Sequence, residues 1–221
     1  RGKTATLSIR PMELKAKLMP ELNDEFAQDV SDDFETLDDL RKSLREQMQA
    51  ARERAARSDM HNAAIDALEA DGSVVGAVLT GGGRAFVAGA DITEFGKPIA
   101  EPGLNEVIDR IEGASKPVVA AVNGFALGGG LELTLGCHAR IAHPKARVGF
   151  PEVHLGVIPG AGGTQRMPRL AGVEIAVELS TTGKPISAGR ALSAGIIEAI
   201  EDDCVAAAVA RARELAAAGE W

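Results

Sequence analysis

The chain has 221 residues and a formal net charge of −8, with 45% hydrophobic and 25% charged residues. This length and balance predict one medium or two small folded domains and exclude a disordered chain. No apolar run suggests a membrane span or a signal peptide, and the acidic balance disfavours nucleic-acid binding. Cys137 and Cys204 show neither a disulfide framework nor zinc-ligand spacing. We expect a soluble, cytoplasmic protein with neither nucleic acid nor membrane as a partner.

Glycine and charge are distributed unevenly along the chain. Only Gly2 of the 25 glycines lies in residues 1–70. The same segment carries 11 of the 24 Lys and Arg residues and 15 of the 32 Asp and Glu residues. Because composition changes so sharply, the sequence predicts two units, residues 1–70 and residues 71–221.

The first unit is predicted to contain a strand and a long helix. Residues 4–9 alternate between apolar and polar side chains, which is typical of a strand with one buried face. Thr36 with Asp39 three residues later resembles a capping box, and leucines at helical spacing follow. We therefore expect one helix from Leu37 to about Leu68, with a thin apolar stripe that requires a partner surface.

Three stretches of this unit resemble bacterial trigger factor. They read GKTATL at residues 2–7, MPELNDEFAQDV at 19–30 and FETLDDLR at 34–41. The resemblance covers residues 2–68, where the prolyl-isomerase domain of that family ends and its helical chaperone domain begins. It implies a helical arm that contacts other proteins, without the isomerase activity.

The second unit alternates between predicted strands and helices. The predicted strands are residues 74–80, 117–122, 139–142 and 146–150. The predicted helices are residues 104–112, 131–137, 174–180, 188–194 and 205–218. This alternation indicates a layered α/β fold.

Two glycine-rich turns in the second unit are candidate ligand sites. They read RAFVAGAD at residues 84–91 and GGGLE at 128–132, the latter at a helix start. The first N–H groups of a helix have no intrahelical acceptor, so two such turns can form an oxyanion hole. The alternative for residues 128–130 is close packing of a helix against a strand.

Two glutamates are candidate acid/base residues. Glu132 lies one turn into the predicted glycine-initiated helix, and Glu152 follows Pro151 at a strand end. Two carboxylates beside an oxyanion hole can hold a water and move a proton to and from carbon, with crowding and burial keeping one protonated. The alternative for Glu132 is an ordinary carboxylate that interacts with the helix dipole.

Other polar residues receive structural interpretations. His138, His143 and His154 lack ligand spacing and are expected at the surface or at strand ends. Cys137 ends an apolar helix and is expected in the core. The stretch GAGG at residues 160–163 precedes a helix and is either a phosphate contact or a tight turn.

Three long motifs of the second unit resemble the enoyl-CoA hydratase (crotonase) superfamily. They read FVAGADI at residues 86–92, PVVAAVNGFALGGGLE at 117–132 and FPEVHLGVIPGAGGTQR at 150–166. The match covers roughly residues 72–205. ITEFGKP at 92–98 and GKPI at 183–186 are similar to the hydratase region of multifunctional fatty-acid β-oxidation proteins. The resemblance implies a crotonase-like spiral of strands and helices, preceded by the strand and the helical arm.

The resemblance also implies a substrate site. The backbone N–H groups of Ala90 and Gly129 would polarise a thioester carbonyl, with Asp91 and Ile92 beside them. CoA would be part of the substrate, so no metal or redox cofactor is expected. The implied partners are an acyl-CoA, further copies of the chain in a homo-oligomer and proteins that contact the helical arm.

Glu132 and Glu152 match the two catalytic glutamates of the family. They would position and activate water for addition to trans-2-enoyl-CoA, giving 3-hydroxyacyl-CoA in fatty-acid β-oxidation. The presence of both favours a hydratase over the isomerases of the family, which generally rely on one acid/base group.

The resemblance further implies a crotonase-like domain that is incomplete at both ends. Trigger-factor-like sequence stands where such domains begin with a strand, a turn and a helix. The chain reaches Trp221 before the helices that complete the acyl pocket. The alternative function is therefore a non-catalytic mosaic or a trigger-factor-like chaperone or binding fragment.

Overall fold

The computed structural model describes residues 20–89 and 103–221, with the side chains of residues 50–62 left undescribed. The chain divides into two compact units, Arg1–Arg52 and Glu53–Trp221. No helix among the described residues is long and apolar enough to cross a membrane.

The first unit contains α1 (Asp24–Val30) and the beginning of α2 (Leu37–Ala70). The predicted capping box at the start of α2 is confirmed. The Thr36 N–H donates to the Asp39 carboxylate at 3.0 Å, and the Asp39 N–H donates to the Thr36 hydroxyl at 3.2 Å. The predicted long helix is also confirmed, whereas the strand predicted at residues 4–9 lies outside the described residues.

The described part of the second unit contains two four-stranded sheets, and the chain passes repeatedly from one to the other. The eight strands are β1 (Ala77–Thr80), β2 (Ala85–Val87), β3 (Val118–Val122), β4 (Phe125–Leu127), β5 (Ala139–Ala142), β6 (Arg147–Gly149), β7 (Ile186–Ser187) and β8 (Ala199–Ile200). The first sheet has the order β1-β3-β5-β8 with every pair parallel. The second has the order β2-β4-β6-β7, and its last pair is antiparallel.

Helices join and cover these sheets. They are α3 (Leu104–Glu112), α4 (Gly129–Leu135), α5 (Gly163–Ala171), α6 (Val173–Thr182), α7 (Ala188–Ser193) and α8 (Cys204–Ala218), with a 3-10 helix at Pro151–Leu155. The predicted α/β layered fold is confirmed, because strands and helices alternate as a layered architecture requires.

The central strand β3 is buried throughout, as a strand covered on both faces must be. Val119 and Ala121 face a cluster that includes α8 residues such as Ala208. Ala120 and Val122 point the other way, into a larger cluster built by both sheets and the remaining helices. The two clusters therefore place α8 on one side of the first sheet.

The last turns of α2 pack within the second unit. Ile65 and Leu68 lie against the larger core cluster. The Lys116 ammonium donates to the backbone carbonyls of Leu68 and Asp71 at 2.5 and 2.7 Å, so it satisfies carbonyl groups at the end of the helix. Helix α2 thus ends with both apolar contacts and a cationic cap.

Several predicted elements differ from the observed ones. The predicted turn at residues 84–91 contains β2, and β4 follows the strand predicted at 117–122. Both strands have three residues, which is too short for a periodic pattern, and pairing with distant strands stabilises them. The helix predicted at 131–137 begins earlier, at Gly129, because the preceding Gly128 makes the turn out of β4.

Candidate active site

The candidate site lies where two neighbouring parallel strands end. Helix α4 follows β4, and the 3-10 helix Pro151–Leu155 follows β6. Since β4 and β6 pair in parallel, their carboxyl ends meet at one edge of the sheet. The Gly128 N–H donates to the Gly149 carbonyl at 2.9 Å and joins the two turns. This topology places Glu132 and Glu152 on elements that leave the same edge.

Gly128 allows the turn between β4 and α4. Its φ of +54° lies in the left-handed region, where side chains are strained. A Cβ atom there would also lie 2.9 Å from Glu152 Oε1. Glycine is therefore required both by the backbone conformation and by the close approach of the carboxylate.

Gly129 is the first residue of α4, so its N–H has no acceptor within the helix. The Leu104 side chain from the start of α3 lies against its Cα, since an added Cβ would come within 2.7 Å of Leu104 Cδ2. Gly129 is the one member of the predicted oxyanion hole inside the described residues. The other, Ala90, lies outside them with Asp91 and Ile92.

Glu132 is buried in the first turn of α4, with 3% of its surface exposed. Its Oε1 accepts hydrogen bonds from the N–H groups of Ala161 at 2.7 Å and Gly163 at 2.9 Å. Two backbone donors satisfy a buried carboxylate acceptor and fix its orientation. Glu132 is therefore a fixed carboxylate rather than a surface residue of a helix N-terminus.

Glu152 lies in the 3-10 helix and has a different environment. Its Oε2 is buried and has no hydrogen-bond partner among the described residues. Burial raises the pKa of this carboxyl, and the neighbouring Glu132 charge raises it further, whereas the residue's own backbone N–H lowers it. These effects favour a protonated Glu152 more than in an ordinary exposed glutamate.

The loop at residues 160–163 supplies the donors for Glu132, a role that the sequence did not reveal. Of the two interpretations of its glycines, the structure supports a tight turn, since Gly162 has a φ of +90° and α5 begins at Gly163. The glycine cluster before a helix was the available signal. Its partner, Glu132, is 29 residues away from Ala161, so no local pattern could identify it.

Arg166 is a second residue that the motifs did not single out for function. Its guanidinium donates to the Ala161 carbonyl and to the carboxylates of Asp109 and Glu112 on α3. Arg166 therefore connects the loop that contacts Glu132 with helix α3.

The three histidines singled out in the sequence and both cysteines can be placed in the structure. The Val118 N–H donates to His138 Nδ1 at 2.9 Å, and the Lys145 N–H donates to His143 Nδ1 at 3.1 Å. His154 is exposed. Cys137 and Cys204 are buried free thiols, and burial raises the pKa of Cys137 to about 12. Cys137 thus occupies the predicted core position.

Comparison with known proteins identifies relatives of this chain. The family model described as enoyl-CoA hydratase/isomerase matches residues 45–220. The chain is 44% identical over 161 residues to a probable enoyl-CoA hydratase of Bacillus subtilis, covering 69% of this chain and 62% of that protein. It is 52% identical over 133 residues to a peroxisomal bifunctional enzyme of Cavia porcellus, covering 59% of this chain. That match spans 18% of the guinea-pig protein, so this chain represents a small part of its length.

Solved structures give the same assignment. An enoyl-CoA hydratase of Bacillus anthracis superposes with a TM-score of 0.64 at 37% identity, covering 74% of this chain and 66% of that one. Subunit I of the Geobacillus kaustophilus "enoyl-CoA hydrates" gives a TM-score of 0.62 at 40% identity, covering 73% of this chain and 63% of that one. The fold, the motifs and the family match agree across most of the chain: it belongs to the enoyl-CoA hydratase/isomerase (crotonase) family.

Proposed function

We propose that the chain hydrates trans-2-enoyl-CoA thioesters to 3-hydroxyacyl-CoA in fatty-acid β-oxidation. The main support is the contrast between two neighbouring carboxyl groups. Glu132 accepts two backbone hydrogen bonds, whereas Glu152 has a buried oxygen without a partner among the described residues. A site with one fixed carboxylate and one carboxyl whose pKa is raised by burial suits general base and general acid catalysis.

In this mechanism Glu132 is the general base. It accepts a proton from water while the water oxygen forms a bond to C3 of the enoyl thioester. Glu152 is the general acid and donates its proton to C2. The 2,3-double bond becomes a single bond. The step leaves Glu132 protonated and Glu152 ionised, and proton exchange with solvent returns both groups to their starting states. CoA enters as part of the substrate and leaves as part of the product, and the proposed reaction needs no metal or redox cofactor.

Negative charge develops on the thioester oxygen as water adds to C3. The N–H of Gly129 at the start of α4 is suited to donate to that oxygen, because it has no intrahelical acceptor. The family resemblance assigns the second donor to Ala90, with Asp91 and Ile92 beside the substrate. An acyl-CoA is thus the proposed ligand, and a homo-oligomer and a cytoplasmic location remain predictions.

The direct test is hydration of crotonyl-CoA, followed as loss of the ultraviolet absorbance of its conjugated double bond. Glu132→Gln keeps the size of the side chain but removes the base, so we expect kcat to fall by about 10²- to 10⁴-fold. Glu174→Gln is the matched control, since Glu174 is an exposed residue of α6. Activity of Glu132→Gln equal to that of the control would contradict the assignment.

The pH dependence tests the role of Glu152. If Glu152 must be protonated, kcat/KM falls as the pH rises through its raised pKa. Glu152→Gln should lose most activity at every pH and should not show this fall. A wild-type profile that rises across the same range would exclude Glu152 as the acid.

We also infer a helical interaction arm from the trigger-factor-like residues 2–68. The support is the resemblance itself together with the capping box that begins α2. The family match begins at residue 45, so residues 45–68 belong to both resemblances. The test compares capture of an unfolded reporter protein by the full chain and by a chain lacking residues 1–44. Equal capture would contradict an arm in that segment.

A further inference from the structure

Arg166 lies in the first turns of α5 with 17% of its side chain exposed. Its Nη1 donates to the Ala161 carbonyl at 3.2 Å. The guanidinium also lies against Gly162, where an added Cβ would overlap Nη1. The side chain therefore supports the loop at residues 160–163 from one side.

The same loop also donates two hydrogen bonds to Glu132. The N–H groups of Ala161 and Gly163, which flank Gly162, both bind Glu132 Oε1. Any rotation of this short segment would change the direction of both donors. Arg166 thus contacts the loop between the two groups that orient the carboxylate.

Helix α3 binds the other two nitrogens of the same Arg166 guanidinium. Nη2 lies 2.8 Å from an Asp109 oxygen and 2.6 Å from a Glu112 oxygen, and Nε donates to Glu112 at 3.2 Å. Asn105 of the same helix donates to the Gly160 carbonyl at 3.4 Å. Since α3 also places Leu104 against Gly129, one helix contacts both the loop and the start of α4.

We propose that Arg166 is a positioning residue for hydration: it couples α3 to the Ala161–Gly163 loop and thereby sets the orientation of the Glu132 carboxylate. Exposed ion pairs alone contribute little to stability. The effect on Glu132 is geometric, because a catalytic group displaced by about 1 Å can lose about 10²-fold in rate. This inference rests on the proposed function.

The test compares Arg166→Ala with Arg169→Ala in the full chain. Arg169 is the matched control, because it is an exposed arginine of the same helix that donates to the Gln165 carbonyl within it. We expect Arg166→Ala to lower kcat for crotonyl-CoA by about 10- to 100-fold. We expect KM to change by less than about threefold, since the substrate contacts are retained. Arg166→Lys should restore part of kcat, because an ammonium keeps the charge but cannot reproduce the fork of donors.

A double variant separates positioning from general loss of structure. If Arg166 acts through Glu132, adding Arg166→Ala to Glu132→Gln should lower kcat by less than about threefold more. Full multiplication of the two effects would overturn the inference. So would an Arg166→Ala enzyme with the kcat of Arg169→Ala.

Amide hydrogen exchange at Ala161 and Gly163 provides a readout that does not depend on catalysis. Exchange should be faster in Arg166→Ala than in Arg169→Ala. If Arg166→Ala does not fold, Glu112→Gln replaces it, because Glu112 binds the same guanidinium, and it should give a smaller increase in exchange. Unchanged exchange would overturn the inference. Absence of hydration by the wild-type chain would instead overturn the proposed function, while the exchange experiment would still decide the role of Arg166.

Discussion

The two glutamates of the candidate site differ in what surrounds their oxygens, although both follow glycine- or proline-containing turns. Glu132 is satisfied by two backbone N–H groups, and Glu152 has an orphaned buried oxygen among the described residues. A buried polar atom without a partner carries a desolvation cost, and such atoms are concentrated at functional sites. The candidate site therefore combines Glu132, whose oxygen accepts two hydrogen bonds, with Glu152, whose buried oxygen accepts none among the described residues.

This difference predicts a pH-dependent stability effect of Glu152→Gln. The native pKa of Glu152 lies above its ordinary value of 4.5, so between the two values the native state binds more protons than the unfolded state. The free energy of unfolding of the wild type therefore falls as the pH rises through that range, whereas glutamine carries no titrating proton. We expect the Tm of Glu152→Gln minus that of the wild type to increase from pH 4.5 up to the raised native pKa and to level off above it.

Differential scanning calorimetry across this pH range measures the effect. Glu174→Gln is again the control, because it is exposed. A Tm difference for Glu152→Gln that stays constant with pH, or that shrinks as the pH rises, would contradict the raised pKa.

At the scale of elements, close packing of α4 on β2 requires a glycine. A Cβ at Gly130 would overlap the Val87 carbonyl oxygen. The clashing oxygen belongs to the backbone of a paired strand, so it cannot move aside as the end of a flexible side chain can. The short helix that carries Glu132 is thus set directly on the sheet.

Gly130→Ala should therefore lower the free energy of unfolding by at least about 2 kcal/mol. Gly189→Ala in α7 is the matched control, since no atom lies within 4 Å of its added Cβ. That control should be neutral or more stable by up to about 1 kcal/mol, because alanine favours helix. Urea denaturation compares the two, and equal stability would contradict the packing argument.

Helix α8 depends on an N-terminal cap at its first turn. The Asp203 carboxylate accepts from the Ala206 N–H at 3.0 Å. Asp203→Ala should cost about 1 kcal/mol of stability, and the adjacent exposed Asp202→Ala should cost less than about 0.5 kcal/mol. Thermal unfolding followed by circular dichroism measures both, and identical midpoints would contradict capping by Asp203.

At the scale of the whole molecule, the first six strands alternate between two sheets, and the end of α2 packs against the core of the second unit. The family match from residue 45 includes these last turns of α2. The division into residues 1–70 and 71–221 that composition indicates remains a prediction. The apolar contacts of Ile65 and Leu68 show that the last turns of α2 pack against the larger core cluster.

Leu68→Ala should accordingly destabilise the second unit by about 1–2 kcal/mol, since the side chain is partly buried against the core. Val173→Ala, at an exposed position of α6, should change stability by less than about 0.5 kcal/mol. Urea unfolding followed by the fluorescence of Trp221, the one tryptophan of the chain, reports on this unit. Equal midpoints would show that the end of α2 does not stabilise the core.

Local signals in the sequence were sufficient for several conclusions. The capping box and leucine spacing predicted α2, and residues 104–112 and 139–142 were predicted with the bounds that the structure shows. The motifs around Glu132 and Glu152 identified the family, because they are long, contiguous and in order. Such features depend on neighbouring residues, so they can be read without a fold.

Tertiary structure alone decided how the two glutamates differ. The donors to Glu132 come from residues 29 and 31 positions away, and Arg166 reaches α3 across more than 50 positions. The three-residue strands β2 and β4, which position the turns, exist because distant strands pair with them. The sequence by itself determined the family and the candidate acid/base pair. Which carboxyl is bonded and which is desolvated follows from long-range packing, because solvation depends on every element that surrounds an atom.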